Sequence, residues 1–329
     1  YFFNKKEKSK IKLPEKSKFY LIPIYTFHQL KFFENLFYKT KINYKFFDFY
    51  DFFSRNNYKI RNNKFVNNKS PFKFNSKDID INYIQNCIIY VEKMILELKP
   101  RAVFFSEGDN FIDQIFGAVA KKNRIPTICF QWGSLVNHPL KISYRNFTYD
   151  HYFSWGPFFS QKLGIYNKKT KFHNVGNILS LQKHNKKKKI IFFLQCVAEP
   201  NLDKYNNDQL NELIIWTAKN TNIEIIVRSH PSFYPKTEFF KKIQIYPNIK
   251  FHNSNKISFG KSMEDVMIAI SINSSSLIEA LIFDVLPIYF VTNSKQKEFN
   301  HDLLKYKNIL QFDHLKDIKK GWKKYRMNG

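Results

Sequence analysis

Short runs of uninterrupted apolar residues alternate with segments of helical period along almost the whole chain, and the alternation restarts once after a polar interruption. Ala102 to Phe105 and Ile190 to Leu194 have no polar residue on either face, and Pro126 to Phe130, Ile223 to Val227 and Pro287 to Val291 are apolar except for Thr127, Glu224 and Tyr289. A strand of that kind must be covered on both sides, which is the signature of a parallel sheet between two layers of helix. The pattern therefore predicts an α/β chain of two doubly wound, Rossmann-like domains.

In the first half, Phe19 to Tyr25 and Tyr44 to Phe49 read as strands around an amphipathic Phe27 to Tyr38 segment, a βαβ unit. From about Asp80 to Leu98, Ile81, Ile84, Ile88, Val91, Ile95 and Leu98 recur at steps of three and four and predict one apolar helical stripe ended by Lys99-Pro100. Strand Ala102 to Phe105, a helix carrying Phe111 to Val119, strand Pro126 to Phe130, strand Tyr152 to Trp155, a short helix from Pro157 to Leu163 and strand Phe172 to Val175 complete it. No apolar period survives between Ile178 and Lys189, which ends in four lysines. The second half runs through Ile190 to Leu194, a helix over about Asp208 to Lys219, strands Ile223 to Val227 and Ile249 to Phe251, a helix-like Glu264 to Ala269, helix Leu277 to Phe283 and Pro287 to Val291. Residues 1–177 are expected to form one domain, 178–189 the linker, 190–314 the second domain and 315–329 a basic terminal helix. A ligand cleft between the domains is the expected consequence.

Against 27 Asp+Glu stand 54 Lys+Arg, a formal charge of +27, but 43% hydrophobic and 18% aromatic residues exclude a disordered basic tail. Lys, Asn, Ile, Phe and Tyr are abundant together while Gly numbers 9, as AT-rich coding would give, so the charge alone does not mark a polyanion site. Cys87, Cys129 and Cys196 are far apart in apolar surroundings and read as buried thiols. No apolar run approaches the roughly 18 residues of a membrane span, and Tyr1 to Lys6 lacks the order of a signal peptide. The expectation is a soluble, cytoplasmic protein, peripheral at most on the inner membrane face, with room for an upstream segment because the sequence starts at Tyr1.

In open parallel sheets, ligands lie beyond the carboxyl ends of the strands, and four turns there carry chemistry. Arg228-Ser229-His230-Pro231 follows a strand: Arg can grip phosphate oxygens and His can donate a proton to a leaving phosphate, although a His-Pro turn with a surface Arg is an equal reading. Ser274-Ser275-Ser276 opens a helix, where free N–H groups and hydroxyls bind anions; Ser276 with Glu279 also reads as a plain capping box. Glu107-Gly108-Asp109 offers two carboxylates as general base, with Asp109 equally placed to be a helix N-cap. Gln131-Trp132-Gly133-Ser134 supplies amide, indole and hydroxyl groups of the sort that bind sugar hydroxyls.

Other signals carry less. Asp78-Ile79-Asp80 matches a DxD metal pattern but precedes a helix, where an Asp cap is expected. The nine histidines show no paired spacing, and His138, His151 and His184 read as surface or loop residues. With no GxGxxG after a strand and no GxxxxGK[ST], neither NAD nor P-loop chemistry is indicated, and a metal-independent mechanism without cofactor is expected.

Taken in order, Glu107-Gly108, His230-Pro231 and Ser274-Ser275-Ser276 resemble the acidic-Gly, His-Pro and Ser-Ser motifs of bacterial surface-polysaccharide glycosyltransferases of the GT-B fold, especially the sialyltransferase, polysialyltransferase and capsular Kdo-transferase groups. Gln131-Trp132-Gly133, Phe153 to Pro157 and Val175-Gly176-Asn177 also look like capsule-type transferases, and the resemblance spans Phe19 to Val291. It implies an inverting glycosyltransferase: His230 binds phosphate and acts as general acid, Ser274 and Ser275 bind phosphate, and Glu107 deprotonates the acceptor hydroxyl. This chain departs from the family in having Ser106 before Glu107 and Asp109 after Gly108. Arg228 joins the phosphate set. The implied donor is a CMP-linked acidic sugar of the sialic acid or Kdo kind, and the acceptor a surface glycan, free or lipid-linked.

Glycerol-phosphate transferases and UDP-sugar transferases share these features. A sugar 2-epimerase shares the fold but has a Gly-rich signature where this chain has serines. A nucleic-acid-binding protein is the rival of another class, opposed by dispersed lysines and the absence of any recognition motif. At the C-terminus, Leu315, Ile318, Trp322 and Tyr325 share a helical face flanked by Lys316, Lys319, Lys320, Lys323, Lys324 and Arg326, which suits either an anionic membrane surface or packing back on the first domain.

Overall fold

In the computed structural model the described residues are 19–24, 27–37, 40–48, 80–106, 110–133, 142–177, 188–194, 200–231, 235, 237–272, 274–290, 292 and 310–312. The chain divides into two compact units, one of Tyr1–Trp132 with Ile142–Val175 and one of Gly133–Lys141 with Gly176–Gly329. Each is an α/β layer structure around one parallel sheet.

The first unit orders β1 (Tyr20–Ile24), α1 (Phe27–Phe37), β2 (Tyr44–Asp48), α2 (Ile81–Leu98), β3 (Val103–Ser106), α3 (Phe111–Lys122), β4 (Thr127–Phe130), α4 (Ile142–Arg145), β5 (His151–Ser154), α5 (Pro157–Gly164) and β6 (Lys171–Asn174). All its strands are parallel, in the order β2-β1-β3-β4-β5-β6, so the winding reverses between β1 and β3. One face of the sheet buries Ile22, Ile24, Phe46, Phe104 and Phe130 against Leu30, Phe33 and Phe37 of α1. The packing is largely ring on ring: Phe104 meets Phe37 at 5.5 Å and Phe130 at 5.8 Å. On the other side, α2 turns Cys87, Val91, Met94 and Ile95 inward.

Helix starts follow local chemistry. Asp80 caps α2 by accepting from Tyr83 N at 2.7 Å, as expected of an Asp before an apolar period. At α3 the cap is Asn110 and not Asp109: Asn110 Oδ1 accepts from Asp113 N and its Nδ2 donates to Asp113 Oδ2. Gly156-Pro157 opens α5, with Pro at a position where its missing N–H costs nothing. Ile81, expected on the apolar stripe, is 67% exposed because it sits at the first turn, ahead of the point where α2 meets the sheet.

The second unit runs β7 (Lys189–Phe193), α6 (Pro200–Asn220), β8 (Glu224–Arg228), α7 (Thr237–Ile243), β9 (Ile249–His252), α8 (Phe259–Met263), β10 (Val266–Ser271), α9 (Ser276–Ile282), β11 (Leu286–Phe290) and β12 (Leu310–Phe312). Its sheet is ordered β12-β11-β10-β7-β8-β9, again all parallel. Renumbered from its own first strand, that is the 3-2-1-4-5-6 order of a doubly wound nucleotide-binding fold. Alternate residues feed two separate cores: Ile190, Phe192, Ile225, Val227 and Ile270 face one, Ile191, Phe193, Ile226 and Ala269 the other. Burial on both faces is why these strands read as continuous apolar runs.

Three expectations are corrected here. Glu264 to Ala269, read as helix-like, is a turn leading into β10, a central strand between β7 and β11. An apolar run buried on both faces has no period to distinguish helix from strand. Lys189, placed at the end of the linker, is the first residue of β7, and α6 begins at Pro200, ahead of the expected Asp208. β12, which pairs with β11 over Leu310 to Phe312, was not anticipated. The terminal 315–329 segment lies outside the described residues, as do most of 178–189 and Cys196.

Candidate functional site

The second sheet reverses its winding between β7 and β10, and a ligand of such a sheet sits beyond the carboxyl ends of the strands at that point. The residues there are Arg228, Ser229 and His230 at the end of β8, Ser271 at the end of β10, and Ser274 to Glu279 leading into α9.

Arg228 is the last residue of β8 instead of the first of the turn, and it is 8% exposed. Its Nη1 donates to Ile257 O at 2.9 Å, Ser258 O at 3.5 Å and Ser262 Oγ at 2.6 Å, and the guanidinium lies over the Phe259 ring. Burial lowers its pKa to about 10, with Glu279 acting in the opposite direction, so it remains a cation at neutral pH. A guanidinium can only donate, so Ser262 Oγ accepts from it and also shares a hydrogen bond with His252 Nδ1, 3.0 Å away. His252 in turn is held below the usual imidazole range by burial and by the Arg228 charge. Arg228 thus braces the β9–α8 loop against the sheet edge.

The turn after it is equally fixed. Ser229 N donates to His252 O, and Ser229 Oγ accepts from Ser254 N at 3.1 Å. Pro231 O accepts from Asn255 Nδ2 at 3.3 Å. His230 stands between these anchors, half-buried and at the carboxyl edge. This is a rigid platform for one side chain, built from hydrogen bonds on both sides of it.

Ser271 Oγ donates to Phe193 O at 3.0 Å and ties the two central strands together at the reversal. Beyond it, the helix cap is Ser275 and not Ser276, and Ser275 makes no side-chain cap bond; Ser274 Oγ accepts from Ser276 N at 3.2 Å. The expected capping box is absent, since Ser276 is the first helical residue. Gly133 belongs to this unit, and a Cβ added to it would stand 3.6 Å from Ser275 Oγ.

Glu279 is the functional candidate that local sequence reasoning passed over as part of that box. Burial of its carboxyl raises the pKa to about 7, against the opposing effects of the Asn177 side chain and the Arg228 charge. Its partners lie about 100 and 50 residues away, so no local pattern could have found it. The signal available was the type of residue: an acid one turn into a helix that begins at a sheet reversal.

In the first unit, Glu107, Gly108 and Asp109 lie outside the described residues. What is described is the position they follow: Ser106 ends β3, at the reversal of the first sheet, and its buried Oγ has no hydrogen-bond partner among the described residues. Gln131 is 3% exposed; its Oε1 accepts from Trp155 N at 2.8 Å and its backbone O from Trp155 Nε1 at 3.1 Å. Those bonds join the ends of β4 and β5, a structural role for an amide expected to touch sugar. Trp132 packs on Phe32 with ring centres 5.1 Å apart. His151 and His173, unpaired in spacing, come within 3.0 Å across β5 and β6. Asp78 lies outside the described residues, among which no three His, Cys, Asp or Glu side chains are placed to hold a metal ion.

No protein-family model matches the sequence, and no curated protein matches it. Solved structures do. UDP-GlcNAc 2-epimerase from Neisseria meningitidis, bound to UDP-GlcNAc, is 12% identical with a TM-score of 0.64 over 92% of this chain and 90% of its own. MurG from Acinetobacter baumannii is 9% identical, TM-score 0.57, over 93% and 90%. The glycotransferase of kitacinnamycin is 10% identical, TM-score 0.57, over 93% and 89%. At such identities the likeness is one of fold, and the fold is the GT-B type, with two Rossmann-like domains.

Proposed function

We propose that the chain is a GT-B glycosyltransferase that takes a nucleotide-activated sugar on its second unit and passes the sugar to a glycan acceptor without a metal ion. The observation that carries this reading is the carboxyl edge of the second sheet, where His230 on its anchored turn, the Ser274-Ser275-Ser276 helix start and the buried Arg228 cation gather at the reversal of a 3-2-1-4-5-6 sheet. That is a place for a diphosphate: hydroxyls and N–H groups to hold its oxygens, a cation beneath and an imidazole to protonate the leaving phosphate.

A UDP-linked donor fits better than the CMP-linked acidic sugar that the motif resemblance implied, because the structurally similar epimerase from Neisseria meningitidis holds UDP-GlcNAc. In the reaction, a carboxylate of Glu107 or Asp109 removes the acceptor proton, the acceptor oxygen attacks the anomeric carbon, and the nucleotide leaves with its charge held by Ser274, Ser275 and His230. Direct displacement inverts the anomeric centre.

Release of UDP from UDP-GlcNAc and other UDP-sugars, with glycan acceptors supplied, tests the reading. Turnover that falls at least a hundredfold in Glu107→Gln, with UDP binding retained, supports it. Conversion of UDP-GlcNAc to a 2-epimer with no acceptor present would replace transfer by epimerisation.

A further inference from the structure

At the opposite, amino edge of the first sheet, a turn between α5 and β6 presents apolar side chains outward. Ile165 is 63% and Tyr166 49% exposed, and the lysines that follow, Lys168, Lys169 and Lys171, are exposed and make no ion pair among the described residues. The exposure is built in. Asn167, in the middle of the turn, is buried: its Oδ1 accepts from Phe147 N at 2.7 Å, and its Nδ2 donates to Tyr144 O at 2.8 Å and Leu163 O at 2.9 Å. Thr170 closes the turn by donating from Oγ1 to Tyr149 O at 2.8 Å. With both anchors turned inward, Ile165 and Tyr166 cannot fold back into the core.

The charge along this stretch of the chain is of one sign. Arg145 lies over the Tyr166 ring at 5.5 Å, and no Asp or Glu occurs between Asp150 and Glu199. Asp150 itself is directed into the sheet, where its Oδ2 accepts from Thr127 N and Oγ1, both at 2.9 Å. An aliphatic and an aromatic side chain projecting together, ringed by Lys and Arg whose stems reach along an apolar surface while their heads stay wet, match an anionic bilayer at headgroup depth. A soluble polyanion would use the cations but has nothing to offer Ile165.

We propose that the α5–β6 turn is a membrane-docking surface, with Ile165 and Tyr166 entering the interface of an anionic lipid bilayer and Arg145, Lys168, Lys169 and Lys171 engaging its headgroups. This surface stands independently of the donor assigned to the second unit. No helix among the described residues is long and apolar enough to cross a membrane, so docking here would be peripheral.

Flotation of the full chain with vesicles of phosphatidylcholine alone, or with about 30% phosphatidylglycerol to supply the anionic leaflet charge, tests it. Wild type is expected to float only with the anionic vesicles. Lys168→Gln/Lys169→Gln/Lys171→Gln should lower the partition coefficient about a hundredfold, and Ile165→Ser/Tyr166→Ser roughly tenfold. Lys169→Gln alone, at an exposed position, should cost about fivefold and guards against misfolding in the multiple variants. Absent flotation of wild type, or wild-type flotation by the triple variant, would overturn the proposal, the second result assigning lipid binding elsewhere in the chain. Unchanged flotation by the Ile165/Tyr166 variant would leave a polyanion surface in place of a membrane one.

Discussion

The two units share one architecture but handle polar groups at their sheet edges differently. In the first, the carboxyl ends of β4 and β5 are closed by neutral bonds between Gln131 and Trp155, and the core beneath is a lattice of aromatic rings. In the second, the core is mainly aliphatic and the carboxyl edge carries a buried cation, Arg228, with the perturbed acid Glu279 in its field. Buried charge costs folding free energy, so a sheet edge that keeps it is the edge where ligand chemistry is expected. Among the described residues, the first unit keeps neutral, structural bonds at its carboxyl edge and presents exposed cations at the opposite one.

That contrast can be broken by substitution. Arg228→Leu should cost the most, about 3–4 kcal/mol, because Ile257 O, Ser258 O and Ser262 Oγ lose their donor inside the protein; chemical denaturation would measure it. A loss below about 1 kcal/mol would mean that solvent reaches this group and that the charge is not buried in effect.

Glu279→Gln comes next, and its sign depends on pH. With a native pKa of about 7 against an ordinary 4.5, the folded chain holds a proton that the unfolded chain releases between those values. Stability therefore falls as pH rises from about 4.5 to 7, by roughly 3 kcal/mol in all, and the loss is complete above 7. Glu279→Gln should remove that slope, stabilising the protein at pH 8 and changing little at pH 4. A slope that survives the substitution would place its origin elsewhere.

The smallest effect belongs to the first unit. Asp150→Ala removes the two bonds that Asp150 Oδ2 accepts from Thr127 N and Oγ1 at the start of β4 and should cost about 2 kcal/mol, with no change in nucleotide binding. If it weakened binding as much as a change at His230, the division of labour between the units would fail.

The fold was legible because its signal is repeated and local. Strands buried on both faces announce themselves as apolar runs; β10 was misread, where Glu264 and Asp265 precede the run and lend it a false helical start, and the three-residue β12 was missed. The candidate site was legible in its residue types and less so in their roles. Ser-Ser-Ser and His-Pro stand where ligands of such sheets bind, but a one-residue shift of the helix cap from Ser276 to Ser275 removed the capping box and left Glu279 to another partner. The groups that set its pKa, Asn177 and Arg228, and the Ile257 to Ser262 segment that holds Arg228 are brought in by topology, which no local window contains. The bonds between Gln131 and Trp155 were hidden for the same reason, since Trp155 lies on the next strand.

The central claim is that the second unit's carboxyl edge binds a uridine diphosphate group. Calorimetric titration of the full chain with UDP and with CMP tests it most directly. The account predicts binding of UDP in the micromolar range, CMP weaker by at least tenfold, and UDP affinity reduced about tenfold or more in His230→Ala, as loss of a charge-assisted phosphate contact would give. Equal affinity for the two nucleotides, or UDP binding untouched by the His230 substitution, would contradict it.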